Sequence, residues 1–157
     1  MADIVSPAVR SRMMAGIQGR NTRPELLIRR ALFARGFRFR VHRRDLPGKP
    51  DIVLPKHRAV ILVNGCFWHG HRCVLFRWPT SNEDFWRTKI RRNRHVDRRV
   101  LQSLCNKWRI LRIWECALKG ASRLPIDTVI DDTISWLRSE SESAEIRGRK
   151  RKRTRGA

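Results

Sequence analysis

Apolar residues recur along the chain at two periods, and the switch from one to the other divides it into elements. Over 22–36, "TRPELLIRRALFARG", Leu26, Leu27, Leu32 and Phe33, with Ala31, can share the buried face of a helix. Thr22 and Glu25 have capping-box spacing, Pro24 falls in the first turn, and Gly36 can close the helix. "FRFRV" (37–41) then alternates apolar and basic residues, as a half-buried strand with one wet face does. "LPGKP" (46–50) is turn chemistry, and Pro50 fixes an extended lead-in to "DIVL" (51–54). "PKHR" turns the chain back into "AVILVNG" (59–65), so these two runs are expected to pair as a hairpin.

The long segment 82–104 has apolar positions 86, 90, 100, 101 and 104 in a strongly cationic remainder, which predicts a surface helix with a basic stripe. "WRILRIW" (108–114) reads as another strand, "ALKGA" as a short helix or turn, and 126–138, "IDTVIDDTISWLR", as a last helix. From about Ser139, Ser, Glu, Arg and Lys replace apolar residues, so too little surface is buried to offset ordering entropy. The expected organisation is one domain over 1–138 and a disordered basic tail over 139–157. Its class is α/β, a small mixed central sheet flanked by helices.

Charge narrows the partners. The 157 residues carry 36 Lys and Arg against 14 Asp and Glu, a net +22. Setting aside 147–157, with seven cations and no acid, still leaves +15. A charge spread through a folded domain fits nucleic acid; a membrane binder would show a basic amphipathic helix with a continuous apolar face. No run of about 18 apolar residues occurs, and the N-terminus lacks the apolar stretch of a secretory signal, which implies a cytoplasmic protein. In that reducing compartment four cysteines are better suited to metal ligation or burial as thiols than to disulfides.

The densest chemistry lies in "NGCFWHGHRC" (64–73). Zinc takes four soft or borderline ligands in a tetrahedron. Cys66, His69, His71 and Cys73 are local candidates, and Cys116 follows the 108–114 strand. Five candidates compete for four places. Cys66, His71, Cys73 and Cys116 would make a closed structural site and leave His69 free as a base near neutral pH; the alternative is buried thiols with a surface histidine. Cys105 reads as an ordinary thiol.

Asp51 opens a strand directly after "GKP". Such an aspartate either caps the turn or holds Mg²⁺ against a scissile phosphate, since hard oxygen ligands suit that ion. Strand, turn and strand after "PD" form the frame of the PD-(D/E)xK nucleases, yet "ILVNG" supplies neither the second acid nor the lysine. A backbone carbonyl near Val63 would have to complete the metal shell. Phe67, Trp68, Trp78, Phe85 and Trp86 are core residues, or else wedges that enter the base stack beside a basic surface.

These stretches, with "RSRMMAGI", "NTRPELLIRRAL", "LPGKPDIVLP", "GCFWHGHRC", "EDFWRTKI" and "WECAL" in order over roughly 8–138, resemble the very-short-patch repair (Vsr) mismatch endonucleases of bacteria. The resemblance implies a PD-(D/E)xK-type nuclease core with an added structural zinc. The implied reaction is Mg²⁺-dependent hydrolysis of double-stranded DNA 5′ to the thymine of a T·G mismatch, left when 5-methylcytosine deaminates. It assigns Mg²⁺ to Asp51 and the Val63 carbonyl, the general base to His69, and contact through metal-bound water to Glu25. The implied zinc ligands are Cys66, His71, Cys73 and Cys116. Phe67, Trp68 and Trp86 would intercalate, Met14 and Ile17 would approach from the other groove, and Lys89 and Asn93 would read base edges. Asn64 departs from the histidine of many relatives: it can donate a hydrogen bond to a phosphate oxygen but carries no charge. A monomer is expected, because one mismatch offers no two-fold axis, with downstream repair proteins as further partners. The rival readings are a noncatalytic zinc-stapled DNA-binding module and a nonspecific nuclease of the same fold.

Overall fold

Three apolar runs, at 52–54, 59–63 and 110–114, have no charged residue except Arg112, and such runs suit strands covered on both faces. In the computed structural model, which describes residues 22–150, they form the centre of a sheet. The elements are α1 (Arg23–Ala34), β1 (Ile52–Leu54), β2 (Ala59–Asn64), α2 (Glu83–Leu104), β3 (Arg109–Trp114), α3 (Ile126–Arg138) and β4 (Ser143–Ile146). Short 3₁₀ turns lie at Pro55–His57 and Glu115–Ala117. The sheet order is β1-β2-β3-β4, with β1 antiparallel to β2 and the other pairs parallel. The result is a mixed α/β unit whose sheet is flanked by helices.

Alternation along each strand sorts side chains to two faces. Ile61, Leu111 and Ile113 pack with Ile28 and Leu32 of α1 and Val129 and Ile130 of α3. Val53, Val60 and Ile110 pack with Leu104 of α2 on the other side. Most of these side chains are fully buried, each worth about 1.5–3 kcal/mol relative to exposure. No helix among the described residues is long and apolar enough to cross a membrane.

Three expectations need correcting. On α1 the buried residues are Glu25, Ile28 and Leu32, while Leu27 and Phe33 face outward and Phe33 is covered by the Arg38 guanidinium at 4.2 Å. The 37–41 segment makes one bridge, Arg40 with Val53, rather than a strand. Phe37 and Phe39 still pack on the core, but His42 takes a left-handed φ of 55°, which ends extended pairing.

The third correction concerns the segment from 139, expected to be a disordered tail. It contains β4, which pairs along β3 from Ile110 with Ser143 to Ile113 with Ile146. Arg109 explains why so polar a segment is ordered. Its buried guanidinium donates to the carbonyls of Trp136 (2.7 Å), Leu137 (3.2 Å), Ser139 (2.8 Å) and Ser141 (3.0 Å), and lies 4.5 Å from the Trp136 ring centroid. A cation there meets the negative end of the α3 dipole and satisfies carbonyls that the helix leaves unpaired. Ile146 adds an apolar anchor. The charge run of 151–157 lies outside the described residues, as do Met14 and Ile17.

Candidate active site and metal centre

The β1–β2 ladder begins with Ile52 opposite Ile61, so Asp51 stands just before it. The Val63 amide, two residues beyond that pair on β2, donates instead to Asp51 Oδ2 at 2.7 Å. This bond fixes the carboxylate at the sheet edge. Glu25 comes to the same place from the first turn of α1. The expected cap does not form: Thr22 makes no side-chain bond to the helix backbone and its hydroxyl donates to Glu25 Oε1 at 3.3 Å. Glu25 is only 2% exposed and pairs with Arg29 at 2.9 Å. Burial, then the Glu25 charge, push Asp51 up to about 7 from an ordinary value of 3.8. Two neighbouring carboxylates, with the charge of Asp51 costly when unmetallated, form a hard-oxygen donor set that fits a divalent cation.

Both acids line a cleft of about 670 Å³, closed on the far side by the middle of α2. His69 reaches it from the loop after β2, where the His69 and His71 amides bond back to the carbonyls of Gly65 and Cys66. His69 Nδ1 meets Asp97 of α2 at 2.6 Å. A carboxylate there accepts the Nδ1 hydrogen and leaves Nε2 as the acceptor nitrogen. Asp97 was missed in the sequence, where an acid set among the cations of a helix gives no signal of what it faces. Lys49 and Arg112, also unassigned, line the same cleft.

Next to the cleft, ligand atoms of Cys66, His71, Cys73 and Cys116 lie within 4.8 Å of one another. The β2–β3 register, Asn64 beside Trp114, brings the 66–73 loop to the residue just after β3. His71 stacks on Trp114 with ring centroids 3.9 Å apart and nearly parallel planes. The Cys116 amide donates to Cys66 Sγ and the Gly148 amide to Cys116 Sγ, both at 3.3 Å. Burial pushes the Cys66 and Cys116 thiols up and His71 down, with Arg147 and Arg112 adding to the effect on His71. A neutral imidazole and three thiols, of which the Cys66 and Cys116 sulfurs already accept amide hydrogens, could bind a metal ion. His69 stands apart from this set, committed to Asp97.

The aromatic candidates gather in one cluster. Phe67 lies 5.2 Å from both Trp68 and Trp86, which are 5.9 Å from each other. Asn93 donates to the Trp68 carbonyl at 2.8 Å, so in this state it braces the loop, whereas Lys89 is exposed on α2. Asn64 is 9% exposed at the cleft end of β2.

Fold and cleft together define a class: a basic α/β protein that sets a buried and a half-buried carboxylate at a sheet edge beside a Cys/His cluster able to bind metal. The family model of the DNA mismatch endonuclease Vsr matches residues 2–75. The chain is 40% identical to the DNA mismatch endonuclease Vsr of Escherichia coli over 147 residues, covering 93% of this chain and 94% of that one. It is 43% identical to the type II nicking enzyme V.XorIIP of Xanthomonas oryzae over 134 residues, 83% of this chain and 98% of the relative. A third relative, V.NmeAIP of Neisseria meningitidis, is 42% identical over 76% of this chain and 86% of its own. The chain belongs to the Vsr family of DNA mismatch endonucleases, and it is a DNA endonuclease, a hydrolase.

Proposed function

We propose that this chain nicks double-stranded DNA 5′ of the thymine in T·G mismatches arising from deaminated 5-methylcytosine. Mg²⁺ would sit in the cleft and Zn²⁺ would serve as the structural ion. The observation that carries the reading is the convergence of Asp51, Glu25 and the His69–Asp97 pair on one cleft, in a chain whose relatives are named mismatch endonucleases or nicking enzymes.

The β1–β2 hairpin after "PD" supports a PD-(D/E)xK-type core, with Glu25 from α1 in place of an acid on the second strand. Asp51 and the Val63 carbonyl would hold Mg²⁺, with Glu25 acting through bound water. When bound, that ion supplies polarisation of the scissile phosphate. His69 Nε2 takes the proton of the attacking water as its oxygen joins phosphorus and the bond from phosphorus to the leaving sugar oxygen breaks, that oxygen taking a proton from solvent, and Asp97 steadies the resulting imidazolium. Asn64 orients a phosphate oxygen by a hydrogen bond. Phe67, Trp68 and Trp86 enter beside the mismatch, where a weakened base step is cheapest to unstack, and Lys89 reads a base edge. Asn93 joins that readout only on releasing the Trp68 carbonyl, and Met14 and Ile17 act from the other groove. Cys66, His71, Cys73 and Cys116 would hold Zn²⁺. The enzyme acts as a monomer in the bacterial cytoplasm.

The test is a labelled duplex with one T·G pair, incubated with protein and Mg²⁺ beside its fully paired counterpart. A single nick in the thymine strand of the mismatched duplex alone is expected. Binding without a nick would leave a noncatalytic module, and equal cutting of both duplexes a nonspecific nuclease.

A further inference from the structure

A second hollow, of about 240 Å³, shares Cys73 and Cys116 with the metal centre. Arg72, Arg147, Arg149 and Lys150 line it, and no acid among the described residues does. Four cations around one small space repel one another, and their backbone is pinned there all the same. Arg147 donates to the Arg72 carbonyl at 2.9 Å and the Arg149 amide to the Ser122 carbonyl at 2.8 Å. Between them the Gly148 amide bonds Cys116 Sγ at 3.3 Å.

Gly148 is pressed so close that a Cβ would lie 2.4 Å from the Cys116 carbonyl oxygen and 2.5 Å from Ser122 Oγ. Only glycine lets the strap 147–150 lie against the knuckle. Arg72, Arg149 and Lys150 make no ion pair among the described residues, so their charge is available to a ligand.

We propose that this hollow is a fixed phosphate subsite for the DNA backbone, made by Arg72, Arg147, Arg149 and Lys150 and assembled by closure of the metal centre. The chemistry required is a multiply charged anion with exposed oxygens. A polyanion is preferred to a free ion because residues 151–155 add four more cations directly beyond the strap. It rests on DNA being the partner but needs neither mismatch recognition nor cleavage. In place of a loose tether, the strap gives a contact at a set distance from the 66–73 loop. Its formation depends on the sulfur that accepts the Gly148 hydrogen. A metal that holds Cys116 as thiolate strengthens that acceptor, so metal loss loosens the strap.

The experiment measures binding of the full-length protein to a fully paired duplex as a function of salt. The plot of log affinity against log salt has a slope of about −0.9 per phosphate contact. For Arg149→Ser/Lys150→Ser the slope should become shallower by about 1.8, with zinc content and thermal midpoint unchanged. An unchanged slope would overturn the subsite. Gly148→Val keeps every cation; it should lose a comparable part of the slope, and a full slope in folded Gly148→Val protein would overturn the role of the strap's seating. Chelating the zinc from wild type should flatten the slope as well, and no change there would refute the coupling to the metal centre. Inorganic phosphate at matched ionic strength should not displace the duplex; if it does, the hollow is a free-anion site and the DNA assignment fails. Because the duplex is fully paired, a wild type that cannot nick T·G DNA but shows these slope changes would sink the mismatch reading and leave the subsite standing.

Discussion

His69 Nδ1 stands 2.6 Å from Asp97 Oδ2, joining the loop after β2 to the middle of α2. The pair holds the imidazole with its other nitrogen free and places a negative charge where a transferred proton would create a positive one. Asp97→Asn keeps the shape and loses that charge. Single-turnover nicking of T·G DNA should slow by about 100-fold, within the range of general acid–base effects, while duplex affinity changes little. His69→Ala should be at least as slow. Wild-type rates in Asp97→Asn would remove the acid from the mechanism.

Asp51 predicts a pH dependence of stability. In the metal-free protein its proton is held up to about pH 7, whereas the unfolded chain releases it near 3.8. The folded state therefore binds more protons between these values. Its contribution to stability is full below the unfolded value and lost as pH rises through the folded one. In EDTA at pH 8, Asp51→Asn should melt above wild type, with the gap closing toward pH 5. Mg²⁺ at pH 8 should raise the wild-type midpoint and leave the variant unmoved. Identical midpoints under all conditions would show that burial does not strain this carboxylate.

Cys116 joins the Cys/His cluster of the 66–73 loop to the segment after β3, so on the proposed zinc site its loss would cut the tie as well as a ligand. Cys116→Ser should lose stoichiometric zinc by elemental analysis and more than about 3 kcal/mol of stability in urea. Cys105→Ser should do neither, since Cys105 is exposed and bonds only local acceptors. Full zinc in Cys116→Ser would replace the ligand set.

Truncating Phe67 opens the aromatic cluster at its centre. For Phe67→Ala, nicking of T·G duplex should fall by about 10-fold or more, while affinity for paired duplex stays within about 2-fold, as expected of a wedge used only at a weakened step. Equal losses on both duplexes would make Phe67 a packing residue.

How much of this was legible depends on where each signal is written. β1, β2, β3 and all three helices follow from local periodicity. The Cys/His cluster could be read because four ligand-type residues sit in ten positions and one more follows a strand. Asp97 and Arg109 could not, because their roles lie in partners 27 or more residues away. β4 failed for the same reason: its order comes from β3 and from Arg109, and a composition of Ser and Glu describes only what faces water. Glu25 was misjudged by half, since capping-box spacing is met while the carboxylate turns to the cleft.

Arg109 is buried with no acidic partner among the described residues, so removing its cation should loosen both α3 and β4. Arg109→Met should lower stability by about 3 kcal/mol through carbonyls left without donors, and amide exchange should quicken at 143–146 before it does in β1. Uniform exchange would argue against a local role.

The reach of Arg109 also orders events during synthesis. Apart from the His57 carbonyl at 3.4 Å, its acceptors run from Trp136 to Ser141, and the strand that seals its side of the sheet ends at Ile146. A growing chain that has released β1 to β3 holds all the described residues of the cleft except Glu115, together with a guanidinium that still lacks most of its acceptors. The sheet should therefore close late and as one step, so that a ribosome-bound fragment ending before residue 141 stays protease-sensitive throughout β3. The polar stretch that follows α3 is the one that commits the nuclease to its folded form.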